Sequence, residues 1–143
     1  MLVPLTRALV DAEGPVLQAN GVSMWGYTVL TLLATGPMRT QAALARAAGA
    51  DKTRIIPILD ELQERGLIER RPDPDDRRVR LLAITTAGRR VYTRTRAGIR
   101  AGEERVLALL PASDRRGFLR AVRTLSTVDI MRTATVSRGS ASG

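Results

Sequence analysis

Apolar positions recur every three or four residues at Leu2, Leu5, Leu9 and Ala12, a rhythm that predicts a helix. Gly14-Pro15 is expected to interrupt or kink it, because proline removes one backbone donor and its ring crowds the preceding turn. Leu17 to Asn20 resumes the helix and Gly21 closes it. Ser23 then caps a second helix whose apolar face is Trp25, Val29, Leu30, Leu32 and Leu33, ended by Gly36-Pro37. Met38 to Thr40 is short enough to be only an extended piece. Thr40 caps an alanine-rich helix from Gln41 to Ala48, and Gly49-Ala50 turns the chain. Asp51 caps a further helix from Lys52 to Arg65, with Gly66 in the position that wants a left-handed residue.

After Gly66 the rhythm changes. Leu67 to Arg71 and Val79 to Thr85 read as two strands around Pro72-Asp73-Pro74-Asp75-Asp76, where proline presets φ and aspartate bonds its own backbone. Thr86 opens a long helix to about Leu110, with Val91, Thr95, Ile99, Val106 and Leu110 at helical intervals. Pro111-Ala112-Ser113 breaks it. A last helix from Asp114 to about Val128 places Phe118, Val122, Leu125 and Val128 on one side. The segment Thr133 to Gly143 is rich in Ser, Thr, Gly and Arg and is expected to be disordered. The fold class is mainly α with one small β-hairpin (α+β).

The middle of this order meets the requirements of a helix-turn-helix. Two steeply crossing helices need a small residue at the contact, a left-handed turn residue and apolar inner faces. Ala45, Gly49, Leu44 with Ala48, and Ile55, Ile58, Leu59 with Leu62 supply them in turn. With the hairpin directly after, the unit reads as a winged helix-turn-helix. The second helix then offers its first turn to a major groove, through Lys52, Thr53 and Arg54 and, one turn on, Pro57. Arginine and lysine read guanine, and threonine bonds a base edge or packs on a thymine methyl. Pro57 either bends this helix or presses its ring on the groove. In the wing, Arg77 and Arg78 suit the negative potential of a minor groove, and Asp76 is expected to brace one arginine.

Charge and composition narrow the partners. The net charge of +9 favours anionic ones, although residues 1–86 net only +1 and residues 87–143 carry +8. Only Lys52 of the 23 basic residues is lysine, an arginine bias that a GC-rich genome also produces. Cysteine and histidine are both absent, which removes disulfides, cysteine-ligated zinc, the commonest metal ligand and the commonest general base. A Ser-His-Asp arrangement is impossible and no phosphate-binding glycine loop occurs, so the chain is expected not to be an enzyme and to hold neither metal nor cofactor. No apolar run reaches 18 residues and the N-terminus lacks a signal-peptide block, so a cytoplasmic location without membrane contact is expected.

Several motifs carry a resemblance: Ala45-Arg46-Ala47-Ala48-Gly49, Leu59-Asp60-Glu61-Leu62, Arg65-Gly66-Leu67-Ile68-Glu69-Arg70, Pro72 through Arg78, and Ile84-Thr85-Thr86-Ala87-Gly88. Over Ser23 to Gly88 the chain resembles the MarR family (multiple-antibiotic-resistance repressors), including its wing signature at Asp76, Arg78 and Ile84-Thr85. Two departures stand out: the interruption at Gly14-Pro15, and Pro57 where the family often has a polar contact residue. The resemblance implies a homodimer on double-stranded DNA with a palindromic operator, and release of DNA on binding a small, often aromatic, effector. It divides the chain into a dimerisation helix (1–22), a winged DNA-binding domain (23–88), C-terminal dimerisation helices (89–130) and a tail (131–143). Leu17, Met24, Trp25, Tyr27 and Met38 are the candidate effector cleft, although aromatic side chains near an apolar helix face more often serve as core. The leading expectation is thus a dimeric repressor. The competing one, a winged-helix protein-interaction module without an operator, would more naturally show apolar residues where Lys52, Arg54 and Arg78 stand.

Overall fold

The computed structural model describes residues 2–128. Its helices are α1 (Leu2–Ala19), α2 (Met24–Thr35), α3 (Gln41–Ala48), α4 (Lys52–Glu64), α5 (Thr86–Leu107) and α6 (Ala112–Ser126). Between α4 and α5 lie β1 (Ile68–Pro72) and β2 (Arg80–Ile84). The chain divides into two units between Glu103 and Glu104.

In the first unit the starts of α2, α3 and α4 are capped by the residues expected. Ser23 Oγ accepts from Gly26 N at 3.0 Å, Thr40 Oγ1 from Ala43 N at 3.0 Å and Asp51 Oδ1 from Arg54 N at 2.8 Å. Each bond satisfies a donor that the first turn of a helix otherwise leaves unpaired. Gly49 (φ 67°) and Gly66 (φ 65°) take the left-handed conformation that ends α3 and α4. The core lies where α2, α3 and α4 meet the hairpin. Leu30, Leu33, Leu44, Ile55, Leu59, Leu62 and Ile68 are fully buried, and Ala45 is buried at 4% exposure.

β1 and β2 pair antiparallel, from Ile68 opposite Ile84 to Pro72 opposite Arg80. The extended piece before α3 reduces to a single bridge, with Met38 N to Leu82 O at 2.9 Å and Leu82 N to Met38 O at 2.8 Å. Thr85 closes the hairpin onto α5: its Oγ1 donates to Gly66 O at 2.6 Å and accepts from Gly88 N at 3.0 Å. Gly88 sits so close to the Leu67 carbonyl oxygen that a Cβ there would overlap it.

The expected interruption at Gly14-Pro15 does not occur, and α1 runs through both residues. Proline removes one hydrogen bond, but tertiary packing holds the turn that follows. Leu17 is 6% exposed in the core, and Val16 packs so tightly against Gly98 of α5 that a Cβ there would lie 2.6 Å from Val16 Cγ1. The long helix ends at Leu107 rather than near Leu110, and the last begins at Ala112, two residues earlier than expected. In the second unit, α6 buries none of its residues. The expected tail at 131–143 lies outside the described residues.

Candidate nucleic-acid interface

Helical geometry sorts α4 into two faces. Ile55, Leu59 and Leu62 are buried, whereas Lys52, Thr53, Arg54 and Pro57 are all exposed. Asp51 is the cap of this helix, and its bond to the Arg54 amide fixes the backbone that carries the exposed first turn. Pro57 does not end α4. As the sixth residue, its missing N–H would have reached the Thr53 carbonyl, on the open side of the helix where solvent can take its place.

Arg54 is held at a second point. Its guanidinium carbon lies 5.4 Å from the centroid of the Trp25 ring, in cation–π range. The reading of Trp25 as part of an effector cleft did not foresee this contact. Trp25 and Tyr27 are two residues apart, hence about 200° apart around α2. Tyr27 accordingly meets different neighbours: its ring stacks on Tyr92 at 6.1 Å and 24°, and the Arg96 guanidinium lies 5.9 Å from the Tyr92 ring. Burial raises the Tyr27 phenol above its usual range. Burial, with Glu103 nearby, likewise raises the Glu13 carboxyl above the ordinary carboxylate range. Of the other expected cleft residues, Leu17 belongs to the core, Met38 is half-buried in its bridge to Leu82, and Met24 is 37% exposed.

The wing tip is ordered by two of its aspartates, each in a different way. Asp73 is buried; its Oδ1 accepts from Asp75 N at 2.9 Å and its Oδ2 pairs with Arg39 Nη2 at 2.9 Å. Arg39, from the piece before α3, thereby ties the wing to the rest of the domain. Asp76 Oδ1 accepts from both Arg78 N (3.1 Å) and Arg78 Nε (3.2 Å), while the Arg78 side chain stays 92% exposed. Arg77 is exposed beside it. The Arg39–Asp73 tie was not legible in the sequence, because 34 positions separate two ordinary surface residue types.

This arrangement is an exposed, capped helix turn with cationic side chains, flanked by a hairpin that carries a braced arginine. The MarR family model matches residues 20–79. The transcriptional regulator HosA of Escherichia coli O111:H- is 30% identical over 102 residues, spanning 69% of this chain and 73% of HosA. The chain belongs to the MarR family. A further MarR-type match is a putative transcriptional regulatory protein for the hcr operon of Thauera aromatica, 30% identical over 100 residues; the aligned part is 70% of this chain and 60% of that longer protein. Among solved MarR structures, Rv2887 of Mycobacterium tuberculosis in complex with p-aminosalicylic acid superposes with a TM-score of 0.74 at 26% identity, covering 88% of this chain and 95% of that one. The repressor CouR of Rhodococcus jostii RHA1 on a 23-mer DNA duplex gives 0.70 at 26% identity, covering 87% and 89%. Like these MarR proteins, the chain is mostly helical with a two-stranded wing, and among its described residues no helix is long and apolar enough to cross a membrane.

Proposed function

We propose that the chain is a homodimeric transcriptional repressor that binds a palindromic operator sequence-specifically and releases it on binding a small aromatic ligand. The observation that carries the DNA-binding part is the first turn of α4, where Lys52, Thr53 and Arg54 all face outward on a helix whose opposite face is fully buried. Three of the four residues of that turn can bond a base edge. Arg77 and Arg78 add a minor-groove contact from the wing, with Asp76 orienting Arg78. The DNA-bound structure of CouR supports this reading.

Exposed apolar residues on two helices support self-association. On α1, Leu2, Val3, Leu5 and Val10 are 41–70% exposed, and on α6 Phe118, Val122 and Leu125 are 40–55% exposed. A second copy of the chain is the occupant proposed for both. The ligand part of the reading rests on the stacked Tyr27–Tyr92 pair with Arg96 beside it, an aromatic platform next to a cation. The p-aminosalicylic acid complex of Rv2887 supports an aromatic acid as the ligand class.

Selection from random duplex DNA tests the whole proposal. The expected product is an inverted repeat whose half-site centres lie about one helical turn apart, bound by a dimer in sedimentation and released by salicylate-type acids. Recovery of fragments without a common sequence would overturn the operator reading, and a stable monomer at micromolar concentration would overturn the homodimer.

A further inference from the structure

We propose that Trp25 is a positioning residue for base readout: it holds the Arg54 guanidinium in place at the start of α4 so that this arginine meets the base already oriented. This rests on the reading of α4 as the DNA-reading helix.

Arginine has a long side chain with many rotamers, and an exposed one loses that freedom when it docks on a base. Arg54 is exposed, yet it is anchored at both ends. Its backbone amide donates to the Asp51 cap at 2.8 Å, and its guanidinium lies over the half-buried indole of Trp25 at 5.4 Å. A guanidinium uses its face to stack on an aromatic ring and its edge to donate hydrogen bonds. Contact with Trp25 therefore leaves the N–H groups that a guanine O6/N7 edge requires. The anchor comes from α2, which the core holds rigidly through Val29, Leu30 and Leu33, each no more than 1% exposed. Among the described residues, Lys52, the other cation of this turn, has no aromatic ring in cation–π range. The geometry thus singles out one of the three candidate readers of the first turn as preorganised.

The chain has one tryptophan, so its emission reports directly on this contact. The experiment uses the full chain and the duplex best bound in the random selection, together with that duplex's single-base variants. Four proteins are compared with the parent: Trp25→Leu, Trp25→Phe, Arg54→Ala and the double variant Trp25→Leu/Arg54→Ala. Without DNA, Arg54→Ala should change the Trp25 emission. Arg54→Ala should also lose about tenfold or more of the discrimination at one base pair per half-site. Trp25→Leu should lose about two- to fivefold of the discrimination at that same base pair and none elsewhere. Trp25→Phe, which keeps a π face, should restore most of it, and the double variant should behave like Arg54→Ala alone. The proposal is overturned if the emission does not respond, if Leu and Phe behave alike, if the losses multiply in the double variant, or if Trp25→Leu weakens every duplex equally. A parent chain with no base preference on any duplex would sink the DNA-reading function itself, an outcome distinct from a parent preference that Trp25→Leu leaves untouched.

Discussion

Helices α4 and α6 carry apolar residues at the same spacing: Ile55, Leu59 and Leu62 in one, Phe118, Val122 and Leu125 in the other. The outcomes are opposite. The first three are no more than 1% exposed, the second three 40–55%. Periodicity says that a helix face is to be covered, but not by what. In α4 the cover is α2, α3 and β1 of the same unit; α6 buries nothing, and its face is left for a partner, which we propose is a second copy.

The largest effect should come from shortening a side chain in the covered face. Leu59→Ala is expected to cost about 2–5 kcal/mol of folding stability at any protein concentration, measured by denaturant unfolding. Leu125→Ala should instead act through association, lowering the melting temperature more in dilute than in concentrated samples. Equal, concentration-independent losses for both would erase the distinction between the two helices.

Gly88→Ala sharpens the comparison, because it tests whether packing overrides local preference inside the first unit. Helix propensity alone would make alanine better than glycine by about 1 kcal/mol. The overlap of its Cβ with the Leu67 carbonyl oxygen predicts a loss of about 1–3 kcal/mol instead. A thermal melt decides the sign, and a stabilised variant would show that the hairpin can yield.

The wing offers a smaller pair of the same kind. Asp73 and Asp76 are three residues apart with the same charge, but the Asp73 side chain is 5% exposed and that of Asp76 41%. Asp73→Ala leaves the Asp75 amide and Arg39 without their acceptor, and should cost about 1–3 kcal/mol in chemical denaturation. Asp76→Ala should shift stability by no more than about 0.5 kcal/mol. Its effect should appear in DNA affinity across a salt series, as weaker binding, because Arg78 loses its brace. Tighter binding of operator by Asp76→Ala would reduce Asp76 to a turn residue that merely repels phosphate.

A further small effect concerns Glu13. Burial and Glu103 raise its carboxyl in the folded chain, so the folded state holds the proton more tightly than the unfolded one. The stabilisation that this provides is fully present below the unfolded value of about 4.3 and is lost as pH rises through the folded value. Glu13→Gln should therefore be slightly more stable than the parent at pH 7, by less than about 1 kcal/mol given its partial exposure, with the difference vanishing near pH 4. Paired melts at the two pH values check this, and a variant less stable at pH 7 would contradict the stated direction.

What the sequence by itself determined is whatever depends on near neighbours along the chain. Caps, stops and helix faces act within one or two turns, so Ser23, Thr40, Asp51, Gly49 and Gly66 could be assigned from their positions alone. The winged helix-turn-helix followed, because its parts are consecutive. The outward turn from Lys52 to Arg54 and the Asp76–Arg78 pair were legible for the same reason, since both are short-range. Only the tertiary structure decided what depends on residues far apart in sequence. Pro15 reads locally as a break, but Leu17 in the core and Val16 against Gly98 hold α1 continuous across it. Trp25 and Tyr27 read locally as lining one cleft, but the fold places one against Arg54 and the other against Tyr92. Arg39 reads as an ordinary surface cation until the fold closes the 34 positions to Asp73 and makes it the partner of a buried carboxylate. Local signals set each element and its faces; which faces and charges meet is set by chain closure, and no single window of sequence contains it.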